Sequence, residues 1–362
     1  MQEAELTGEF QDLATVQLDA EDALLAMGNV QGVGIGHKVT EGHDTGDPCL
    51  TVFVSQKLDP SLLPSTDLIK PTIGKFKTDV VESGIIFAGA TATPVRPHRG
   101  AQNRITVTRE PSISESLGDG MITMPDTDIT LEEEELTGVD IEVLRGRVRP
   151  ALGGYSVGHF RVTAGTMATA VFDATAFPGI PRRYYILSNN HVLANSNLAR
   201  PGDPILQPGR VDGGRLPGDR IARLSRFVPI RFGGPVNLVD GAIAEGNFHD
   251  LNREIFWIGH VRGTRSLNRV GEMVQKTGRT TNYTTGRVTS INATVNVNYG
   301  AGRVARMARQ IVTTSMSAGG DSGSLLCDMQ GRAVGLLFAG SARVTIFNHI
   351  LFVERLLGIK VA

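Results

Sequence analysis

Downstream of Arg149, short apolar runs alternate with proline- and glycine-containing turns, and helical periodicity is almost absent. This alternation restricts the fold more than any other feature of the chain, because each run is long enough for a strand and too short for a helix. Residues 154–158, 168–172, 183–187, 239–244, 255–261, 286–295 and 333–338 read as strands. Pro178-Gly179, Pro201-Gly202-Asp203, Pro208-Gly209, Asp212-Gly213-Gly214 and Pro217-Gly218-Asp219 read as the turns between them. The 43 Gly and 17 Pro, set against only 6% aromatic residues, favour the same outcome, a β-barrel or sandwich closed by a helix at 349–358 that places Ile350, Val353 and Leu357 together.

Upstream the pattern differs. Residues 10–27 put Leu13, Val16, Leu24 and Met27 close to one helical face, with Gly28 and Asn29 as a stop. Strand-like runs follow at 30–39, 49–55 and about 78–86, so residues 1–87 are expected to form a small α+β domain. Its Gly32-Val-Gly-Ile-Gly36 run lacks the spacing of a nucleotide loop and no helix follows it, so it reads as a glycine-rich strand. Residues 88–149, with Pro94, Arg96, Pro97, His98 and Arg99 and then the acidic 132–135 run, bury little apolar surface and read as a solvated connector or, more sharply, as a processing site or a plug in a cleft.

Composition excludes several classes. The net charge of -1 gives no basic excess for nucleic acid. No apolar run approaches the roughly 18 residues of a membrane span, and the acidic N-terminus does not read as a secretion signal, so a cytoplasmic protein is expected. Cys49 and Cys327 are expected reduced and buried, and no Cys/His cluster has metal-ligand spacing, so no cofactor or metal is expected.

Three segments carry candidate chemistry. Gly319-Gly-Asp-Ser322-Gly-Ser-Leu-Leu326 holds a serine between glycines that allow a sharp bend, although such a run is by itself an ordinary turn. In Ser188-Asn-Asn-His191-Val-Leu-Ala194 a histidine follows an apolar strand, a side chain suited to moving a proton near neutral pH. In Val236-Asn-Leu-Val-Asp240-Gly-Ala-Ile-Ala244 a carboxylate interrupts an apolar run, where burial requires a partner. Asp203, Asp212 and Asp219 compete for that role, but each sits in a Pro/Gly turn where aspartate has a local reason to be.

His191, Asp240 and Ser322 occur in an order known for the catalytic triad on a double β-barrel. The segments around them resemble the three signature regions of the chymotrypsin/trypsin-like serine proteases, and Val274–Val288 resembles the strand–turn–strand that opens the second barrel in bacterial members. The resemblance covers about residues 150–362 and implies a mainly β, chymotrypsin-like double β-barrel preceded by the small α+β domain. It implies Ser322 as nucleophile, His191 as general acid/base, Asp240 as its orienter, and the N–H groups of Gly320 and Ser322 as the oxyanion hole. Asp321 would hold the loop. Arg149 precedes Pro150, which argues against activation by trypsin-like clipping there.

The resemblance also implies that Met316 stands at the pocket-floor position that carries a carboxylate in enzymes cutting after Lys or Arg, with Gly340 and Thr345 on the pocket walls, so a small or apolar residue is expected before the scissile bond rather than a basic one. The expected function is peptide-bond hydrolysis on protein or peptide substrates, with self-processing in the connector; the alternative is a protease fold used as a binding or scaffold module. Residues 1–87 would then serve as a docking surface for a protein regulator, an inhibitor, or a folding aid.

Overall fold

The computed structural model describes residues 6–89, 141–174, 183–267 and 269–361. These form a mainly β structure with a twelve-stranded sheet, an eight-stranded sheet and a small three-stranded one. The eight-stranded sheet runs Ile359–Lys360, Ala170–Asp173, Tyr184–Ser188, Ala242–Gly246, Arg220–Phe227, Pro204–Leu206, Ser156–His159, Gly165–Thr166. The large sheet carries Asn282–Asn298, Val304–Thr314, Val344–His349, Ala333–Gly340, Leu325–Asp328 and Met273–Gly278.

The N-terminal elements join this large sheet. Helix Glu9–Leu25 buries Leu13, Leu24 and Leu25, and Gln17 donates to the Asn292 carbonyl at 2.9 Å. Strand Val30–Thr40 pairs with His43–Val54 on one side and with Asn282–Asn298 on the other. The glycine run explains that second pairing. A Cβ at Gly32 would stand 2.6 Å from the Val295 side chain, and one at Gly34 or Gly36 would meet Ser290 or Thr51. Only glycine permits so close an approach of two backbones. Consequently Leu13, Val33 and Leu50 share one apolar core with Val274, Val288, Ile291 and Leu326. Of the unit expected at 1–87, the described residues 6–87 are α+β in content, but their sheet is continuous with that of later strands.

The connector expected at 88–149 falls mostly outside the described residues. Its described ends are structured: Phe87–Ala88 is a strand, and Ile141–Arg145 is a 3-10 helix with Leu144 fully buried. Three strand assignments also shift. The run 255–261 is broken by a turn at residues 256–258 between strands Leu251–Ile255 and Gly259–His260, with Trp257 at φ 71° and Gly259 at φ 83°. Residues 286–295 are the middle of a seventeen-residue strand. Arg220–Phe227 is a strand that periodicity hides, because arginines occupy its outward positions. The closing helix Ile350–Leu357 is present, ends at Gly358 with φ 63°, and buries Ile350, Val353 and Leu357.

Both cysteines are unbridged and buried. Burial, with Asp79 nearby, pushes the Cys49 thiol up to about 11.

Candidate active site

Strand Tyr184–Ser188 lies inside the eight-stranded sheet and delivers the chain to a short helix, Asn190–Leu193. Two buried asparagines hold this corner. Asn189 donates to the Asp240 carbonyl at 2.8 Å, and Asn190 donates to the Val228 carbonyl at 2.7 Å. Asparagine suits such a place because its amide can satisfy backbone groups that no strand reaches. The adjoining His191 side chain is 12% exposed and that of Asp240 is fully buried.

Asp240 precedes strand Ala242–Gly246, in irregular backbone whose N–H donates to Asn348 Oδ1 at 3.0 Å. Its carboxylate faces His191 twice: Oδ1 accepts from the His191 backbone N–H at 3.2 Å, and Oδ2 lies 2.6 Å from Nδ1. A neutral imidazole in this setting carries its proton on Nδ1 and leaves the Nε2 lone pair free to act as a base. The competing aspartates are engaged elsewhere: Asp203 with His159, Asp212 with Ser156 and Arg279, and Asp219 with Arg147.

Ser322 is 4% exposed and lies in the loop before strand Leu325–Asp328. Its carbonyl accepts from Thr166 N–H at 2.7 Å. Gly323 has φ 97°, and a Cβ there would strike Ser188 and the Thr166 carbonyl, so the loop is seated against the end of the histidine-bearing strand. His191 Nε2 is buried without a hydrogen-bond partner among the described residues, so the serine hydroxyl is not yet bonded to it. Catalytic hydrogen bonds are often long before substrate binds.

The backbone N–H groups of this loop divide into two sets. Asp321 N donates to Ala318, Gly323 N to Leu337 and Ser324 N to Asp321. The N–H groups of Gly320 and Ser322 have no acceptor among the described residues. Gly320 has φ 98°, and a Cβ would stand 2.5 Å from Arg279 and Thr280. Two unengaged donors separated by one engaged residue can receive an oxyanion.

Asp321 carries the loop. It accepts from Ala318 N at 3.0 Å, Thr280 N at 2.8 Å, Thr281 N at 3.1 Å and Thr281 Oγ1 at 2.6 Å, and pairs with Lys276 Nζ at 3.1 Å. Burial alone would raise its carboxyl, but Lys276 and these hydrogen bonds outweigh it and hold the group below the usual aspartate value. Lys276 went unremarked in the sequence, although a lysine inside the Val274-Gln-Lys-Thr strand was a usable signal, since a buried ammonium requires a carboxylate. Tyr299 went unremarked as well: its hydroxyl donates to Asp240 Oδ2 at 2.9 Å.

The expected pocket residues come together. Met316 N donates to Thr345 Oγ1 at 3.0 Å, Ser317 Oγ lies 2.9 Å from the same oxygen, and Gly340 packs against Thr345. The Met316 side chain is 4% exposed and belongs to the core, where a Cβ on Gly286 would meet its sulfur at 2.6 Å.

The described residues thus form a mainly β fold that carries a buried histidine–aspartate pair and a Gly-Asp-Ser-Gly loop, and the chain is similar to known proteases as follows. Over 79 residues it is 46% identical to Glutamyl endopeptidase 2 of Streptomyces griseus, a match covering 22% of this chain and 34% of that protein. The match therefore spans about a third of the relative's length. Among solved structures, Thermobifida fusca Protease A is 17% identical with a TM-score of 0.40, covering 58% of this chain and 96% of that one. A glutamic-acid-specific serine protease that uses a histidine triad in substrate binding is 21% identical with a TM-score of 0.40, covering 59% and 100%. No protein-family model matches the chain.

Proposed function

We propose that the chain is a serine endopeptidase that works through an acyl-enzyme intermediate. The observation that carries this reading is the 2.6 Å contact between His191 Nδ1 and buried Asp240, set beside a loop that presents Ser322 and two unengaged N–H groups.

In the reaction, Ser322 Oγ attacks the scissile carbonyl as its proton passes to His191 Nε2. Asp240 holds the ring and stabilises the imidazolium. The carbonyl oxygen becomes an oxyanion received by the N–H groups of Gly320 and Ser322; losing one such donor typically costs about 3 kcal/mol. His191 then returns its proton to the leaving amine. Water, deprotonated by the same nitrogen, hydrolyses the acyl-enzyme and restores the serine.

The 46% identity to a protein named an endopeptidase supports this reading over a scaffold role. Ser317 and Gly340 both lie against Thr345, and these uncharged groups support a preference for a small or apolar residue before the scissile bond. The two unbridged cysteines agree with a reducing compartment.

Fluorophosphonate labelling tests the proposal. Wild-type protein should be labelled on Ser322, Ser322→Ala should take up no label, and peptide hydrolysis should disappear with it. A Ser322→Ala variant that still cleaves peptides would sink the reading.

A further inference from the structure

We propose that Tyr299 is a positioning residue for the His191–Asp240 pair; this rests on the protease reading. Tyr299 directly follows strand Asn282–Asn298, in a turn that continues through Gly300, Ala301 and Gly302, all at positive φ. It follows a strand of the large sheet, and Asp240 lies between Val236–Asn237 of that sheet and Ala242–Gly246 of the eight-stranded one, so the hydrogen bond fixes the carboxylate where the chain passes from one sheet to the other. Among the described residues the side-chain oxygens of Asp240 accept only from His191 and Tyr299, and the two titratable groups facing that carboxylate are the same pair. The Tyr299 ring also meets the His191 ring edge-on at 6.1 Å. Burial, then the facing carboxylate, pushes the Tyr299 hydroxyl well above its ordinary value, so it stays protonated and donates.

Tyr299→Phe keeps the ring and deletes the donor. A carboxylate that loses a donor becomes more basic and favours the imidazolium more strongly. The expected result is a fall in kcat of roughly tenfold with KM unchanged, together with a shift of the acid limb of the pH–rate profile to higher pH. Unchanged kcat and an unchanged acid limb would overturn the role. A wild-type chain that takes up no fluorophosphonate would instead overturn the protease reading itself.

A different observation carries a second proposal, resting on the same reading. Strand Ala333–Gly340 is bonded to the nucleophile loop through Gly323 N to Leu337 O and Leu337 N to Ser324 O. Beyond that point its edge pairs antiparallel with Phe87–Ala88, Ala339 opposite Ala88 and Gly340 opposite Phe87. The next residue, Gly89, stands over the base: a Cβ there would lie 3.6 Å from His191 Nε2. An extended peptide is held by adding itself to an open sheet edge, and here the edge leading to Ser322 is already taken by the chain. Ile86, buried among Phe338 and Ala339, anchors the segment from behind, and Asn298 N donates to its carbonyl at 2.9 Å. The geometry points to residues 86–89 as an intramolecular competitor of peptide substrate, present at the roughly millimolar effective concentration of a tethered segment.

Ala88→Pro removes an N–H and disrupts the pairing while Ile86 stays in place. It should raise kcat/KM on an extended peptide at least tenfold and leave hydrolysis of a small activated ester nearly unchanged. Equal kcat/KM for the two proteins on the extended peptide would overturn the proposal, whereas absence of ester hydrolysis and fluorophosphonate labelling in both would overturn the protease reading. Hydrogen exchange on the wild-type chain is independent of how the variant folds. A saturating peptide aldehyde should release protection at Phe87 and Ala88, and retained protection with the aldehyde bound would also overturn it.

Discussion

Lys276 Nζ lies 3.1 Å from Asp321 Oδ2, and both side chains are fully buried. The loop that presents Ser322 is therefore braced by a cation supplied from strand Met273–Gly278, within the folded chain. The charge that faces Asp321 thus comes from a strand 45 residues earlier in the chain.

Lys276→Met should leave a buried carboxylate without its cation, a change that typically costs about 3–5 kcal/mol. Urea unfolding would show the loss of stability, and the fluorophosphonate labelling rate should fall with it. The pH dependence has a defined sign. The carboxyl of Asp321 is lower in the folded state than in the unfolded chain, so its contribution is present above the unfolded value and is lost as pH falls through the folded one. Lys276→Met should remove that portion of the acid sensitivity.

Asp240→Asn should fold normally and lose roughly 10⁴-fold in kcat, because an amide facing Nδ1 no longer fixes the productive tautomer. Steady-state kinetics on a peptide ester would check it. A loss below tenfold would assign proton transfer to another residue.

His349 provides a second pH-dependent contribution. Burial lowers its pKa to about 4, and it accepts from Leu351 N at the start of the closing helix. The folded state thus prefers the neutral ring. The associated stability is complete above the unfolded value near 6.5, is lost as pH falls towards 4, and amounts to about 3 kcal/mol. Thermal melts of wild type and His349→Asn between pH 7 and 4 should converge at the acid end.

Thr345→Val should leave Met316 N–H buried without an acceptor, a loss of about 1–3 kcal/mol. It also removes the partner of Ser317 Oγ. Cleavage profiling with a peptide library should then show a shift towards larger apolar residues before the scissile bond.

The three candidate catalytic residues were legible because each breaks a local pattern: a serine between glycines, a histidine at a strand end, and a carboxylate in an apolar run. The bracing around them was not. Lys276 lies in a strand buried at almost every position and Tyr299 in the turn after a strand, and their meaning comes from partners 45 and 59 residues away. Residues 255–261 misled because Phe256, Trp257 and Ile258 look strand-like, whereas Gly259 allows a turn that periodicity cannot register. The continuity of strand Val30–Thr40 with the large sheet was hidden similarly. The glycines at 32, 34 and 36 pointed to close backbone approach, and which backbone approached is a long-range fact.

That shared sheet bears on how the gene for such a chain can be rearranged. A crossover placed after residue 87 would separate strand Val30–Thr40 from Asn282–Asn298, leaving an unpaired edge and an apolar face on each product. The N-terminal strands and the large sheet thus depend on each other for a complete core. Shuffling should yield viable chimaeras only where the glycine strand and its long partner come from the same parent.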